Sequence, residues 1–128
     1  MKKLVEEWMT FADEDLSVAE ELSHQTNAIA FHCQQSIEKY LKAFLIENDV
    51  PLPKIHNLVR LNEMVKEIRD LGIDEKKLVV INTIYFDTRY PGEFGLTPTG
   101  MPTGEQIKEF IAFAKEIQTI ICNAINAK

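Results

Sequence analysis

No apolar run in this chain approaches the roughly 20 residues that a membrane-spanning helix needs, and Met1-Lys2-Lys3 is followed by Glu6 and Glu7 in place of a signal core. A cytoplasmic protein with no membrane association is therefore expected. Cysteine is scarce: Cys33 and Cys122 both fall on apolar helical stripes, where a small buried thiol is expected before a disulfide or a metal ligand. Glycine and proline are confined, with four of the five glycines and three of the five prolines in residues 91–104. There is no Gly-rich phosphate loop, no paired-Cys motif, no HExxH, no Gly-x-Ser-x-Gly and no internal repeat, so the common enzyme signatures are absent. Positive charge is also short. The net charge of -6 argues against a protein that grips nucleic-acid backbones without specificity. Residues 1–22 hold seven acids against two lysines, however, so the rest of the chain is near neutral and a local basic patch remains open.

What is present is helical periodicity, over 128 residues that are 45% apolar and 27% charged, as in one soluble globular domain spanning 1–128. The first segment, about Lys3 to Leu22, places Leu4, Trp8, Phe11 or Ala12, Asp15, Val18 or Ala19 and Leu22 at helical steps. Asp15 interrupts that face; an acid there is expected at the stripe's edge, or paired with a neighbour's Lys or Arg. Ser23 to Asn27 reads as a tight turn, with Thr26 or Asn27 as a cap. The second helix runs from Ala28 to about Asn48. It carries an apolar stripe of Ala30, Cys33, Ile37, Tyr40, Leu41 and Phe44, and elsewhere a polar row of His32, Gln35, Lys39 and Lys42 flanked by Gln34 and Glu38. Asn48-Asp49, Pro51 and Pro53 stop it.

Asn57 caps a third helix with Leu58, Leu61, Met64 or Val65, Ile68 and Leu71 as its stripe and Gly72 as its stop. Asp74 caps a fourth, about Glu75 to Asp87, with an apolar face of Leu78, Val79, Ile81, Ile84 and Tyr85. The loop 91–104 is long for a bare connector and ends in a capping box, Thr103 with Gln106. The last helix, about Gly104 to Ala124, carries Ile107, Phe110, Ile111, Ala114, Ile117, Ile121 and Ala124, widened sideways by Phe113 and Ile120. Burial on a second chain and a central place in a monomeric bundle both account for that width. The expected fold is all-α: an antiparallel bundle of five helices, four long and one shorter, with a long Gly/Pro loop before the last.

The stretch FHCQQSIEKYLKAFLIEN at Phe31 to Asn48, followed by Pro53-Lys54-Ile55-His56-Asn57-Leu58 and later by Tyr85 and Thr88-Arg89-Tyr90-Pro91, resembles the HEPN domain. The resemblance runs over the whole chain, because the acidic first helix and the apolar last helix fall in their expected places. It implies a helical bundle that usually dimerises, is named for presumed nucleotide binding, and in prokaryotes often accompanies a minimal nucleotidyltransferase in a toxin-antitoxin-like pair. Many such proteins are metal-independent ribonucleases that carry an Arg followed shortly by a His near the start of the last helix. In this chain the histidines are His24, His32 and His56 and the first arginine is Arg60, so no histidine follows any arginine and that motif is absent.

The expectation is a noncatalytic module that binds a nucleotide or RNA, forms a homodimer, works with a minimal nucleotidyltransferase and needs no cofactor or metal. Arg89 and Lys39, with Lys42 as a further donor, would donate to phosphate, Tyr85 or Tyr90 would stack on a base, and Gln35 or His32 would read its edge, with His56 beside them. One alternative is a ribonuclease toxin with an atypical site, using Arg89 with His56 or His32. Another is a pure interaction module that works through the last helix and the loop 91–104. Plainer readings stand next to these. Gln34, Gln35, Glu38 and Lys39 would form a solvated face or a hydrogen-bonded seam against the first helix, with Lys39 or Arg89 pairing Asp15; His56 would belong to a helix-start cap, and Tyr90-Pro91 would end the fourth helix.

Overall fold

Five helices, α1 (Lys3–Glu21), α2 (Thr26–Glu47), α3 (Leu58–Ile68), α4 (Glu75–Arg89) and α5 (Gly104–Asn126), make up the computed structural model. It describes residues 2–22, 26–89 and 102–127, with side chains as far as residue 83 in the second stretch. No strand occurs among the described residues. α2 starts at Thr26, so Thr26 and Asn27, expected as its cap, lie inside the helix; the other three expected start signals operate as read. Asn57 accepts from the backbone N–H groups of Val59 and Arg60, Asp74 accepts from those of Lys76 and Lys77, and Thr103 with Gln106 closes a full capping box. The α3 stripe does not reach Leu71, since the helix ends at Ile68 with Arg69 already extended. Gly72 turns the following loop at φ +74, a conformation that costs a Cβ-bearing residue more.

α2 lies at the centre, with Ile37, Tyr40, Leu41 and Leu45 fully enclosed. Each such side chain contributes about 1.5–3 kcal/mol by leaving water. Its contacts with α1 run in opposite directions: Lys2 reaches the carbonyls of Ile46 and Glu47, while Asp15 meets His32. That places a cation on the C-terminal end of α2, where the helix dipole favours it. α4 runs antiparallel to α3, with Leu58 against Asn82 and Lys66 against Glu75.

The direction of α3 is less obvious from the chain. Residues 48–57 return alongside α2, so His56 sits level with Gln34 and Glu38. α3 therefore starts near the middle of α2 and runs parallel to it. Phe44 and Asn48, Ile68 and Arg69, and Ala124 and Ala127 consequently meet at one end of the bundle.

Two apolar faces differ from the periodic reading. The core face of α1 is Val5, Met9, Ala12, Leu16 and Ala19: of the expected alternatives Ala12 and Ala19 are buried and Phe11 and Val18 exposed, and the expected Leu4 also stands exposed. Apolar residues cover a wide arc of α1, and the half that carries Ala12 and Ala19 lets the two helix axes approach closely. On α4, Leu78 and Ile81 are buried but Val79 is exposed; the side chains of Ile84 and Tyr85 lie outside the described residues. The width of α5 is largely used within the chain, with Phe113 only 2% exposed and Ile120 partly buried against the core.

Candidate functional site

The polar side of α2 divides into two clusters. Toward α1, Asp15 accepts from Lys39 Nζ at 2.5 Å and meets His32 Nδ1 at 2.9 Å. His32 and Lys39 are seven residues apart, two turns of one helix face, so a single carboxylate from the facing helix reaches both. This is the hydrogen-bonded seam against the first helix, with Lys39 pairing Asp15.

Toward the 48–57 segment, Gln34, Glu38 and Lys42 form a row at steps of four, and all three are buried. Glu38 Oε2 takes Lys42 Nζ at 3.1 Å and His56 Nδ1 at 3.1 Å, and Glu38 Oε1 takes Gln34 Nε2 at 3.3 Å. Gln34 Nε2 also donates to the His56 carbonyl at 3.2 Å, and Gln35 Nε2 donates to Gln34 Oε1 at 2.8 Å. The Trp8 ring lies 5.8 Å from Lys42 Nζ, at cation–π distance. Sequence periodicity places Lys42 in a solvated row with Gln34 and Glu38 at its flanks, whereas the returning segment and Trp8 enclose all three. Each buried charge is then matched by partners, as its desolvation demands.

A third knot joins three helices. Tyr40, read from the pattern as core, donates its hydroxyl to Asp13, and Gln118 of α5 donates to the same Asp13 oxygen at 3.0 Å. Burial, and then the hydrogen bond to Asp13, hold the Tyr40 phenol well above its ordinary range. This cluster is a structural tie, since its polar atoms face one another.

Of the residues expected to bind a ligand, the structure therefore brings His32 and Lys39 together on Asp15, and joins Gln35 through Gln34 to Glu38 and His56. Tyr85 and Arg89 lie in the last turns of α4, with side chains outside the described residues, and Tyr90 is outside them altogether. Asp15, Gln34 and Glu38 hold these clusters without having been assigned to the site, and Lys42, expected as a further phosphate donor, is instead buried on Glu38. The signal for them was the i, i+4, i+8 spacing of Gln34, Glu38 and Lys42 on a helix that is apolar over most of its remaining surface.

Both histidines share one chemical disposition. An ionised carboxylate only accepts, so Asp15 and Glu38 fix Nδ1 of His32 and His56 as the protonated nitrogen. In the neutral imidazole Nε2 is then the acceptor left to a ligand. His56 is 69% exposed at its side chain and His32 is 27%, while the carboxylates behind them are 6% and 12% exposed. The result is two imidazoles oriented through Nδ1, His32 sharing Asp15 with Lys39 and His56 linked through Glu38 and Gln34 to Gln35.

The HEPN domain family model matches residues 5–125 of this chain. Among curated proteins none matches. Among solved structures, the crystal structure of an archaeal HEPN homologue is similar over 98% of this chain and 100% of that one, with 23% identity and a TM-score of 0.73. At that identity the likeness speaks for the fold.

Proposed function

This chain belongs to the HEPN domain family, and we propose that it is a noncatalytic member that binds a nucleotide or single-stranded RNA on the polar side of α2. The observation that carries the reading is the pair of histidines, His32 and His56, oriented by the partly buried Asp15 and the buried Glu38, with Nε2 of the neutral ring left as an acceptor. Such acceptors suit the exocyclic amino groups of bases or a ribose hydroxyl. Lys39 has donors beyond the one on Asp15 for a phosphate, and Arg89, Tyr85 and Tyr90 would complete the site from the end of α4. Calorimetric titration with ATP, GTP and a short single-stranded RNA tests this. Saturable binding weakened by His32→Ala and by Arg89→Ala is expected, and absence of heat with all three ligands would sink the reading.

The same proposal has the protein act in the cytoplasm as a homodimer beside a minimal nucleotidyltransferase in a toxin-antitoxin-like pair. Family membership supports that assignment, and no helix among the described residues is long and apolar enough to cross a membrane. Light scattering gives the oligomeric state, and co-purification with the product of an adjacent gene tests the partner.

A second reading draws on the same histidines. A histidine held by a buried carboxylate is also how a general base is positioned, so RNA cleavage with His32 or His56 as base is the competing proposal. Total RNA incubated in chelator with a large excess of protein decides it: intact RNA removes the nuclease reading.

A further inference from the structure

Exposed apolar side chains on α1 are not scattered. Leu4, Phe11 and Val18 are 49%, 50% and 38% exposed and recur every seven residues, so they form one stripe along the outside of the helix. Glu7, Glu14 and Glu21 follow each of them by three residues and give an exposed acidic row along the outer edge of that stripe. None of these three acids has a hydrogen bond or ion pair among the described residues, whereas Glu20, on the opposite side of the helix, is paired with Lys115 of α5 at 3.1 Å. The inner edge of the stripe is Trp8 and Asp15, which touch Lys42, His32 and Lys39.

We propose that this face of α1 is the docking surface for a cationic amphipathic helix of a partner protein. The partner's apolar residues would lie at heptad spacing over Leu4, Phe11 and Val18, with lysines or arginines along Glu7, Glu14 and Glu21. A seven-residue repeat drifts by about 20° per heptad around a straight helix, and a second helix crossing at about +20° follows that drift.

Charge selects the occupant. The α1 of a second copy would set Glu7, Glu14 and Glu21 against their own copies when antiparallel and against the Trp8 and Asp15 edge when parallel, with no cationic row in either case. The outer face of α4, with Lys76, Val79 and Val80, has the complementary sign. Its cations, however, are Lys76 and Lys77 at one end of α4 and Arg89, two residues after Asp87, at the other, so it has none to set against the middle of a row that repeats every seven residues. A helix of four turns or more with a basic flank covers the stripe and neutralises the row together.

The test is fluorescence anisotropy on the full chain with a labelled three-heptad synthetic helix bearing Leu at its seam and Lys beside it, and with a scrambled peptide of the same composition. Saturable, salt-weakened binding is expected for the first peptide, with affinity lower by about tenfold or more for the scrambled one and for Phe11→Asp and Glu14→Lys, which corresponds to about 1.4 kcal/mol. Both substitutions are at exposed positions, and unchanged thermal melts show that the fold persists. No binding of the ordered peptide, equal binding of the scrambled one, or indifference to both substitutions overturns the proposal. Self-association of the wild type that Phe11→Asp abolishes also overturns it, by making a second copy the occupant. The proposal stands apart from the nucleotide-binding reading, because neither peptide carries a base or a phosphate.

Discussion

Replacing Lys42 by Met asks whether the buried charges on α2 work as a matched unit. Lys42 and Glu38 are 3.1 Å apart, with side chains 5% and 6% exposed. At an effective dielectric of about 20, their attraction at that distance is about 5 kcal/mol. Desolvating the two ions costs several kcal/mol each, so the pair as a whole sits near break-even, while removing one partner leaves a buried charge at a cost of about 3–5 kcal/mol. Gln34 and His56 still donate to Glu38 when Lys42 is lost, which puts Lys42→Met at the lower end, about 3 kcal/mol. For a domain of this size that is a fall in Tm on the order of 10 °C. The double variant Glu38→Leu/Lys42→Met removes both charges, keeps apolar volume beside Trp8, and should cost only about 1 kcal/mol relative to wild type. Urea unfolding followed by circular dichroism on all four proteins gives the cycle, with a coupling energy of about 2 kcal/mol or more expected. Single variants within about 1 kcal/mol of wild type, or a double variant equal to their sum, would refute the reasoning.

Asn82→Ala leaves the buried Leu58 N–H without its acceptor at 3.1 Å, and should lower unfolding free energy by about 1–3 kcal/mol while speeding amide exchange at Leu58. Cys33, pushed up from 9.0 to about 12 by burial and then by Glu20, should be silent to a thiol reagent in the native state, while the partly buried Cys122 reacts slowly. The native state keeps the Cys33 proton where the unfolded chain loses it. Stability is therefore full below about pH 9 and is lost as pH rises toward 12, and Cys33→Ala should flatten that limb in alkaline titrations of Tm. Asp15→Asn removes the charge that holds Lys39 and should tighten ATP binding with a steeper salt dependence; unchanged affinity would take Lys39 out of the site.

Local signals were legible wherever one residue does one job. Asn57, Asp74 and Thr103 with Gln106 are start signals that act within three residues, and the helices that follow them begin as the pattern indicates. Asp15 was legible too, because an acid on an apolar face requires a partner, and Lys39 supplies one. The side of α1 that packs was not legible, since Leu4–Phe11–Val18 and Val5–Ala12–Ala19 have the same period and only the approach of α2 chooses between them. Nor was the burial of Glu38 and Lys42. Their enclosure depends on residues 48–57 turning back along α2, a path set by contacts of long sequence separation such as Gln34 with the His56 carbonyl.

That return path links the fold to the site. A central helix touched by every other helix has little solvated surface on which to leave polar residues, so those it buries must find a partner from the chain that covers them. On the α1 side the partner is Asp15, and on the other it is the segment that delivers His56. In both places the arrangement is a carboxylate with a cation and a histidine: Asp15 with Lys39 and His32, and Glu38 with Lys42 and His56. The two differ in what they leave outside. Lys42 is enclosed on Glu38, whereas Lys39 is 25% exposed at the edge of the seam. A phosphate bound by Lys39, as proposed, would compete with an internal ion pair, which would lower its affinity but make the seam between α1 and α2 respond to its binding.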